Sequence, residues 1–366
     1  MKIDLNTIQI EIENGNVRAY KHPTLPITGY NYTPNCSFKK AYNETNSRCR
    51  GLVVGPNSSI VCYPMGKFYN YEEENAPKNF LVQDIADAHI KEDGSCIFLF
   101  YYEGEWITST RGSFSSQQAL AAKGLIETKY NQDAWTQEKS SRTGLPLTQD
   151  KNNFDLTFIF ELVGPDNINV TRAYKDNELR LLAIMTNYGI DAPSHIVDTY
   201  AQQYGFKRPE RIYIHDWNEI FNWVKDNPDP NFEGIVVRLH NGTRFKVKSH
   251  LYCQLHKALT GTWTRARILE WWLSAQKDTL EIDPLIPDEF YDDIRNRIQE
   301  CETEWQTLWS YVQAKRLEMI ELNWSRKDFA IKMPEVQALL TTYFSHKDDL
   351  NAWKAMAQSI FVKQYV

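Results

Sequence analysis

His89-Ile90-Lys91-Glu92-Asp93-Gly94-Ser95 runs directly into Cys96-Ile97-Phe98-Leu99-Phe100-Tyr101-Tyr102. The second half is apolar and aromatic without a break, the composition of a buried strand. Asp93-Gly94 just before it is a turn signal. Lys91 is therefore placed on the lip of a tight turn that feeds a buried strand. A solvated lysine beside a hairpin would leave the same trace, so the rest of the chain must decide whether Lys91 carries chemistry.

Upstream, Arg50-Gly51-Leu52-Val53-Val54 reads as a short strand opened by a cation, and Ile60 to Tyr63 as its return. The return leaves through Pro64-Met65-Gly66-Lys67-Phe68, so this hairpin carries a cation near each end, Arg50 and Lys67. Residues before about 30 read as strand-rich, with breaks at Pro23 and Pro26. Downstream, Glu103-Gly104-Glu105 is a hairpin turn, Ser115 to about Tyr130 has helical spacing, and 131–153 is a polar loop. Leu156-Thr157-Phe158-Ile159-Phe160-Glu161-Leu162-Val163 is an apolar strand holding one carboxylate. A buried, unpaired carboxylate is costly, so Glu161 is either one half of a core ion pair or a functional group.

Leu179 to Met185 reads as another strand, and helices are expected near 195–205 and 216–226. Phe232-Glu233-Gly234-Ile235-Val236-Val237-Arg238 is a strand opened by a carboxylate, and Asn241-Gly242 is a hairpin turn. In the returning strand, Lys246 and Lys248 project from one face while Phe245 and Val247 pack on the other. An edge strand guarded by lysines is the alternative reading. Beyond about residue 250 helical periodicity takes over, across 250–260, 264–276, about 287–318 and 325–366. Trp271, Trp272, Trp305, Trp309 and Trp353 read as packing residues of that region. The expected division is a first domain over 1–255 and an all-α domain over 256–366.

The chain has 366 residues, enough for two domains, with 42% hydrophobic and 24% charged residues as in soluble globular proteins. No apolar run reaches membrane-spanning length, and the N-terminus lacks the apolar region of a signal peptide. None of the six cysteines forms a Cys-x-x-Cys pair, which argues against zinc ribbons and dithiol redox motifs. They read as reduced thiols of a cytosolic protein. A net charge of −6 argues against a nonspecific polyanion binder but leaves room for a local basic groove. No Gly-x-x-x-x-Gly-Lys-Ser/Thr loop occurs, so a P-loop kinase module is absent.

The ordered set Arg50, Lys67, Lys91-Glu92-Asp93-Gly94, Glu161, Glu233-Gly234 and Lys246-Val247-Lys248 resembles the ATP-dependent RNA ligase 1 family of covalent nucleotidyltransferases. The likeness spans most of residues 28–256. It extends to Tyr30-Asn31-Tyr32, Cys49-Arg50-Gly51, Pro64-Met65-Gly66-Lys67-Phe68, Gln118-Ala119-Leu120, Tyr252 and Leu255-His256. The resemblance implies an α+β fold: a nucleotidyltransferase domain of antiparallel sheets and helices, followed by an all-α C-terminal domain. It implies that Lys91 is the lysine adenylylated by ATP. Tyr30, Arg50, Lys67, Lys246 and Lys248 would contact ATP, chiefly its phosphates. Glu161 and Glu233 would lie near the ribose, the lysine and Mg²⁺ or Mn²⁺, and Gly94 would allow close approach of the nucleotide. Tyr252 matches a family tyrosine implicated in activity.

Two departures accompany the match. Where the family's type member has two lysines, this chain has Ser109 and Arg111, of which Arg111 keeps a charge for phosphate. A metal-associated acidic pair maps only near Asp278. The activity implied is joining of 5′-phosphate and 3′-hydroxyl ends of single-stranded RNA or a cleaved tRNA loop, by a monomer in the cytosol of a phage-infected or bacterial host.

A free lysine has a pKa near 10.4, so activation is required. Lys246, Lys248, Arg50, a bound metal and partial burial are expected to disfavour the ammonium, while the cations also stabilise phosphate charge. An mRNA capping guanylyltransferase or a DNA ligase would share the core motifs, but the wording around Arg50 and Lys67 favours RNA ligase. A noncatalytic RNA-binding protein of the same fold is disfavoured by the intact set Lys91, Glu161, Glu233 and Lys246.

Overall fold

A computed structural model describes residues 4–130, 155–167, 170, 174–260, 264–275, 291–332 and 339–365. The polar stretch 131–153 and Asp278 lie outside these residues. The chain opens with α1 (Leu5–Glu13), where the Asp4 side chain caps the helix by accepting the Asn6 N–H at 2.9 Å. The strand-rich entry expected up to about residue 30 thus begins with a helix, and its strands start at Val17. Leu5, Ile8 and Ile12 share a helical face that packs on Val17, Leu52 and Ile60, and Ile10 is left exposed. Next come β1 (Val17–Lys21), β2 (Thr28–Tyr32), α2 (Pro34–Phe38), α3 (Glu44–Arg48), β3 (Arg50–Val54) and β4 (Ile60–Cys62). β1 to β4 form an antiparallel sheet in sequence order.

The chain continues through β5 (Tyr69–Asn70), β6 (Ile85–Ile90), β7 (Ser95–Tyr102), β8 (Glu105–Ser109), α4 (Gln117–Thr128), β9 (Leu156–Val163) and β10 (Glu178–Thr186). α5 (Ser194–Tyr204), α6 (Trp217–Lys225), β11 (Gly234–Leu239), β12 (Arg244–Lys248) and α7 (His250–Thr260) follow. A second sheet has the order β10-β9-β7-β8 and is buried on both faces. Ile97, Leu99, Phe158, Phe160 and Leu162 pack on Ala122, Ile126, Tyr200 and Tyr204 of the flanking helices. Phe98, Phe100, Ile159 and Ala183 pack on Val53, Val61 and Cys62 of the first sheet. Double burial explains why β7 and β9 read as unbroken apolar runs rather than alternating ones. Glu161 occupies one position on the face shared with the first sheet, directly across from Cys96.

The third sheet has the order β5-β12-β11-β6. Ile235, Val237, Phe245 and Val247 face Trp217, Phe221 and Val224 of α6, which leaves Lys246 and Lys248 on the other face, as the alternation requires. β12 is not an edge: β11 lies on one side and the two-residue β5 pairs with it in parallel on the other. The guarded-edge reading of the two lysines is therefore wrong.

The chain divides into two compact units, residues 1–259 and 260–366. The second contains α8 (Arg265–Ala275), α9 (Tyr291–Glu321), α10 (Arg326–Lys332), α11 (Leu339–Ser345) and α12 (Leu350–Tyr365). The tryptophans expected to pack there do so: Trp271, Trp272, Trp305 and Trp353 are buried, and Trp305 stacks on Trp309 at 6.0 Å. Among the described residues, no helix is long and apolar enough to cross a membrane.

Candidate active site

β6 ends at Ile90, paired with Ile235, and the Lys91 N–H donates to the Gly234 carbonyl at 2.8 Å. β7, four residues on, belongs to a different sheet, so Lys91 to Gly94 is the turn that carries the chain from the third sheet to the second. Lys91 Nζ lies 2.9 Å from Glu233 Oε2, and Lys248 Nζ lies 2.8 Å from Glu233 Oε1. The register of β11 and β12 sets Gly234 opposite Lys248 and so brings the second lysine to the same carboxylate. Glu233 is only 3% exposed, and the Lys248 ammonium also sits 5.2 Å over the Tyr252 ring.

Burial is the strongest influence and acts against the Lys91 ammonium, as does repulsion from Lys248, but the attraction of Glu233 and Glu161 together more than offsets both. The Lys91 pKa is held above its ordinary value. Glu161 and Glu233, expected to lie near the lysine, outweigh the cations and burial that were expected to disfavour the ammonium. At Glu161, burial pushes the carboxyl up to about 7; Lys91 and Arg50 pull it down while Glu233 and Asp93 push it higher. Cys96, across the strand, is raised to about 11 by burial, with Arg50 and Arg111 acting in the opposite direction. Lys91, Glu161, Glu233, Lys248 and Arg50 thus share one field, and Arg111 joins it beside Cys96.

Arg50 opens β3, and Gly51 after it has φ +96°, where a Cβ would stand 2.3 Å from the Phe98 ring. Only glycine fits this close approach in this backbone region. The Arg50 guanidinium lies 5.7 Å from the Phe68 ring centre. Lys67 is held by aromatic faces, 4.6 Å from Tyr42 and 4.8 Å from Tyr69. Tyr30 packs against the α1 cluster, and burial raises its phenol above the ordinary value. Lys246 stands across from Val236 on the side of β12 away from Phe245 and Val247. Ser109 is fully buried, so its side of β8 is closed to the long cation that the type member carries.

The sequence marks Asp93 as part of a turn and of the Lys91-Glu92-Asp93-Gly94 motif, with no role of its own. In the structure Asp93 is a buried fastener. Its Oδ1 accepts from the Tyr252 hydroxyl and its Oδ2 from the Val170 N–H, each at 2.9 Å. The Asp93 N–H donates to Tyr174 Oη at 3.2 Å, and that hydroxyl donates to Glu92 Oε2 at 2.7 Å. The Lys-x-Asp-Gly pattern was the available signal for Asp93; nothing in the sequence pointed to Tyr174. The close approach seen at Gly94 is to β9, since a Cβ there would stand 2.2 Å from the Leu162 carbonyl oxygen.

The donors only partly fit a metal ion. Both Glu233 oxygens hold ammonium groups, whereas Glu161, raised to about 7 by burial, would gain from a nearby cation. Among the described residues, no group of three or more His, Cys, Asp or Glu side chains is arranged to hold a metal.

Two sheets joined through a half-buried, ion-paired lysine, with residues 48–252 matching a ligase family, place the protein among the ligases. Within that class the chain belongs to the RNA ligase family of the phage RNA ligase 1 type. The matched span lies inside the 28–256 stretch that carried the resemblance. A bifunctional polynucleotide kinase/RNA ligase of Autographa californica nuclear polyhedrosis virus is 25% identical over 222 residues, covering 57% of this chain and 30% of that protein. The chain thus spans under a third of the length of that relative. Among solved structures, an archaeal ATP-dependent RNA ligase is 13% identical over 81% of this chain and 76% of its own, with a TM-score of 0.48. A Naegleria gruberi RNA ligase mutant with ATP and Mn is 14% identical over 48% and 53% of the two chains, with a TM-score of 0.37.

Proposed function

We propose that the protein is an ATP-dependent RNA ligase that joins 5′-phosphate and 3′-hydroxyl ends through a lysyl-AMP intermediate at Lys91. The observation that carries the reading is the ion pair of Lys91 with Glu233, shared by Lys248, within the span matched to the RNA ligase family. Attack requires the neutral amine. The Lys91 proton has an acceptor at 2.9 Å in Glu233, and repulsion from Lys248 favours its departure. Nζ then forms a bond to the α-phosphorus, the bond to the bridging oxygen breaks, and pyrophosphate leaves with that electron pair. Lys246, Lys248, Arg50, Lys67 and Arg111 supply positive charge for the phosphates, and such transfers depend chiefly on positioning and electrostatics. Tyr30 and Gly94 are assigned to the nucleotide and Tyr252 to fastening the turn. Glu161 is the carboxylate that would hold Mg²⁺ or Mn²⁺; a bound divalent ion would supply charge that opposes the Lys91 ammonium and neutralises phosphate. AMP passes from Lys91 to the RNA 5′-phosphate, and the 3′-hydroxyl displaces it.

The substrate proposed is single-stranded RNA or a cleaved tRNA loop, handled by a monomer in the cytosol. The division of labour proposed is nucleotide chemistry in residues 1–255 and RNA choice in 256–366. The test is labelling with α-labelled ATP and a divalent ion. The protein should become covalently labelled, and Lys91→Ala should not. Label on the Lys91→Ala protein sinks the assignment; stronger labelling by GTP than by ATP points to a capping enzyme.

A further inference from the structure

A second cleft lies in the first unit, with a volume of about 810 Å³. Arg48 at the end of α3 lines it, with Arg238, His240, Thr243 and Arg244 of the β11–β12 hairpin, and Asp191. β11 begins at Gly234, bonded to the Lys91 backbone, and reaches the cleft at Leu239. Four to five residues of strand put this side of the cleft roughly 13–17 Å along the sheet from that point, and Met65 and Gly66, next to Lys67, line another side.

The guanidinium groups here are oriented in advance. Arg238 donates to Asp87 Oδ2 at 3.0 and 2.7 Å through Nε and Nη2, and to the Ala192 carbonyl at 3.0 Å through Nη1. Arg244 meets both oxygens of Asp191, at 2.7 and 2.9 Å. That fork uses two of its five N–H donors. Arg48 pairs with Glu44, whose side chain is 82% exposed, so water and salt screen that bond and an incoming anion can replace it. Asp87 and Asp191 offset the charges of Arg238 and Arg244, and only the exposed Glu44 offsets Arg48, so displacing Glu44 opens one cationic fork to an anion. Rigidly held arginine forks with N–H donors left over suit phosphodiester oxygens.

We infer that this cleft binds the phosphodiester backbone of the single-stranded RNA substrate, at a distance from the end being joined. The inference rests on the RNA ligase reading above and adds a subsite to it. The test uses the full-length protein with Arg48→Ala, and separately Thr243→Glu, which sets a carboxylate at the exposed lip. Fluorescence anisotropy with labelled 5′-phosphorylated single-stranded RNA reads binding across salt concentrations, and ATP labelling reads the chemistry at Lys91. Arg48→Ala should weaken RNA binding by about three- to tenfold. It should also flatten the slope of log affinity against log salt by about 0.7, the loss of one single-strand phosphate contact. Thr243→Glu should weaken binding at least as much. Both variants should form lysyl-AMP at the wild-type rate. Wild-type RNA affinity and salt slope in both variants would overturn the inference, and so would parallel loss of lysyl-AMP formation, which would make the cleft part of the ATP site. A wild-type protein that forms no lysyl-AMP refutes the proposed function instead, and the anisotropy comparison still decides the cleft.

Discussion

Replacing Glu161 by glutamine should make the folded protein more stable at alkaline pH. In the native chain burial raises the Glu161 carboxyl from an ordinary 4.5 to about 7. A carboxyl whose pKa is higher folded than unfolded favours folding fully below the unfolded value, and that contribution is lost as pH rises through the folded value. For these two values the loss between about pH 5 and pH 8 is about 2.5 kcal/mol. Glutamine keeps the shape and carries no charge to bury. The assay is urea unfolding of the native and Glu161→Gln proteins at several pH values in that window. The variant's stability relative to the native protein should climb by about 2.5 kcal/mol from the acid to the alkaline end, a visible share of a typical folding free energy. Magnesium should shrink the difference at the alkaline end, because a cation at Glu161 favours the ionised form. A difference between the two proteins that stays constant with pH would refute the claim that Glu161 is held up by burial.

Lys248→Ala removes one partner of buried Glu233 and the repulsion that works against the Lys91 ammonium. It should cost about 3–5 kcal/mol of stability and move the pH profile of lysyl-AMP formation to higher pH; a profile at the native position would contradict this. Tyr252→Phe leaves Asp93 Oδ1 buried without the phenol's hydrogen bond. A loss of about 2 kcal/mol in urea unfolding and slower ATP labelling are expected, and an unchanged midpoint would remove the fastening role. A chain ending at Thr260, checked for folding by near-ultraviolet circular dichroism, should still label with ATP but lose preference for a nicked anticodon stem-loop over an unstructured oligonucleotide. Unchanged preference would show that the helical region does not choose the RNA.

What could be read from sequence depended on whether one element or several determined the outcome. β7 and β9 were legible because both faces are buried, and Glu161 stood out because one carboxylate interrupts such a run. The opposite facing of Lys246/Lys248 and Phe245/Val247 followed from strand alternation alone. α1 was not legible: Ile8, Ile10 and Ile12 mimic strand alternation, and only packing on Val17 and Leu52 shows that Ile10 is spare. The balance of charges at Lys91 was open for a similar reason. Its cationic neighbours could be named from motifs, but the 2.9 Å contact with Glu233 depends on how β6, β11 and β12 align. The Asp93–Tyr252 bond joins positions 159 residues apart, beyond any local signal.

The double burial of β7 also sets a timetable for synthesis. β9, which pairs with it along most of its length, begins about 54 residues after β7 ends. At ribosomal rates of about 5–20 residues per second, the run Ile97 to Tyr102 waits roughly 3–11 seconds for that neighbour. Until then β8 is its nearest partner in the chain, and a two-stranded hairpin is marginal in water. An apolar, uncharged strand left waiting is the kind of segment that pairs with other chains. Because Gly94 closes against the Leu162 carbonyl, the nucleophile turn also cannot set until β9 arrives. Production of active protein should therefore respond to slower translation and to chaperones that shield this hairpin more than to changes anywhere on the surface.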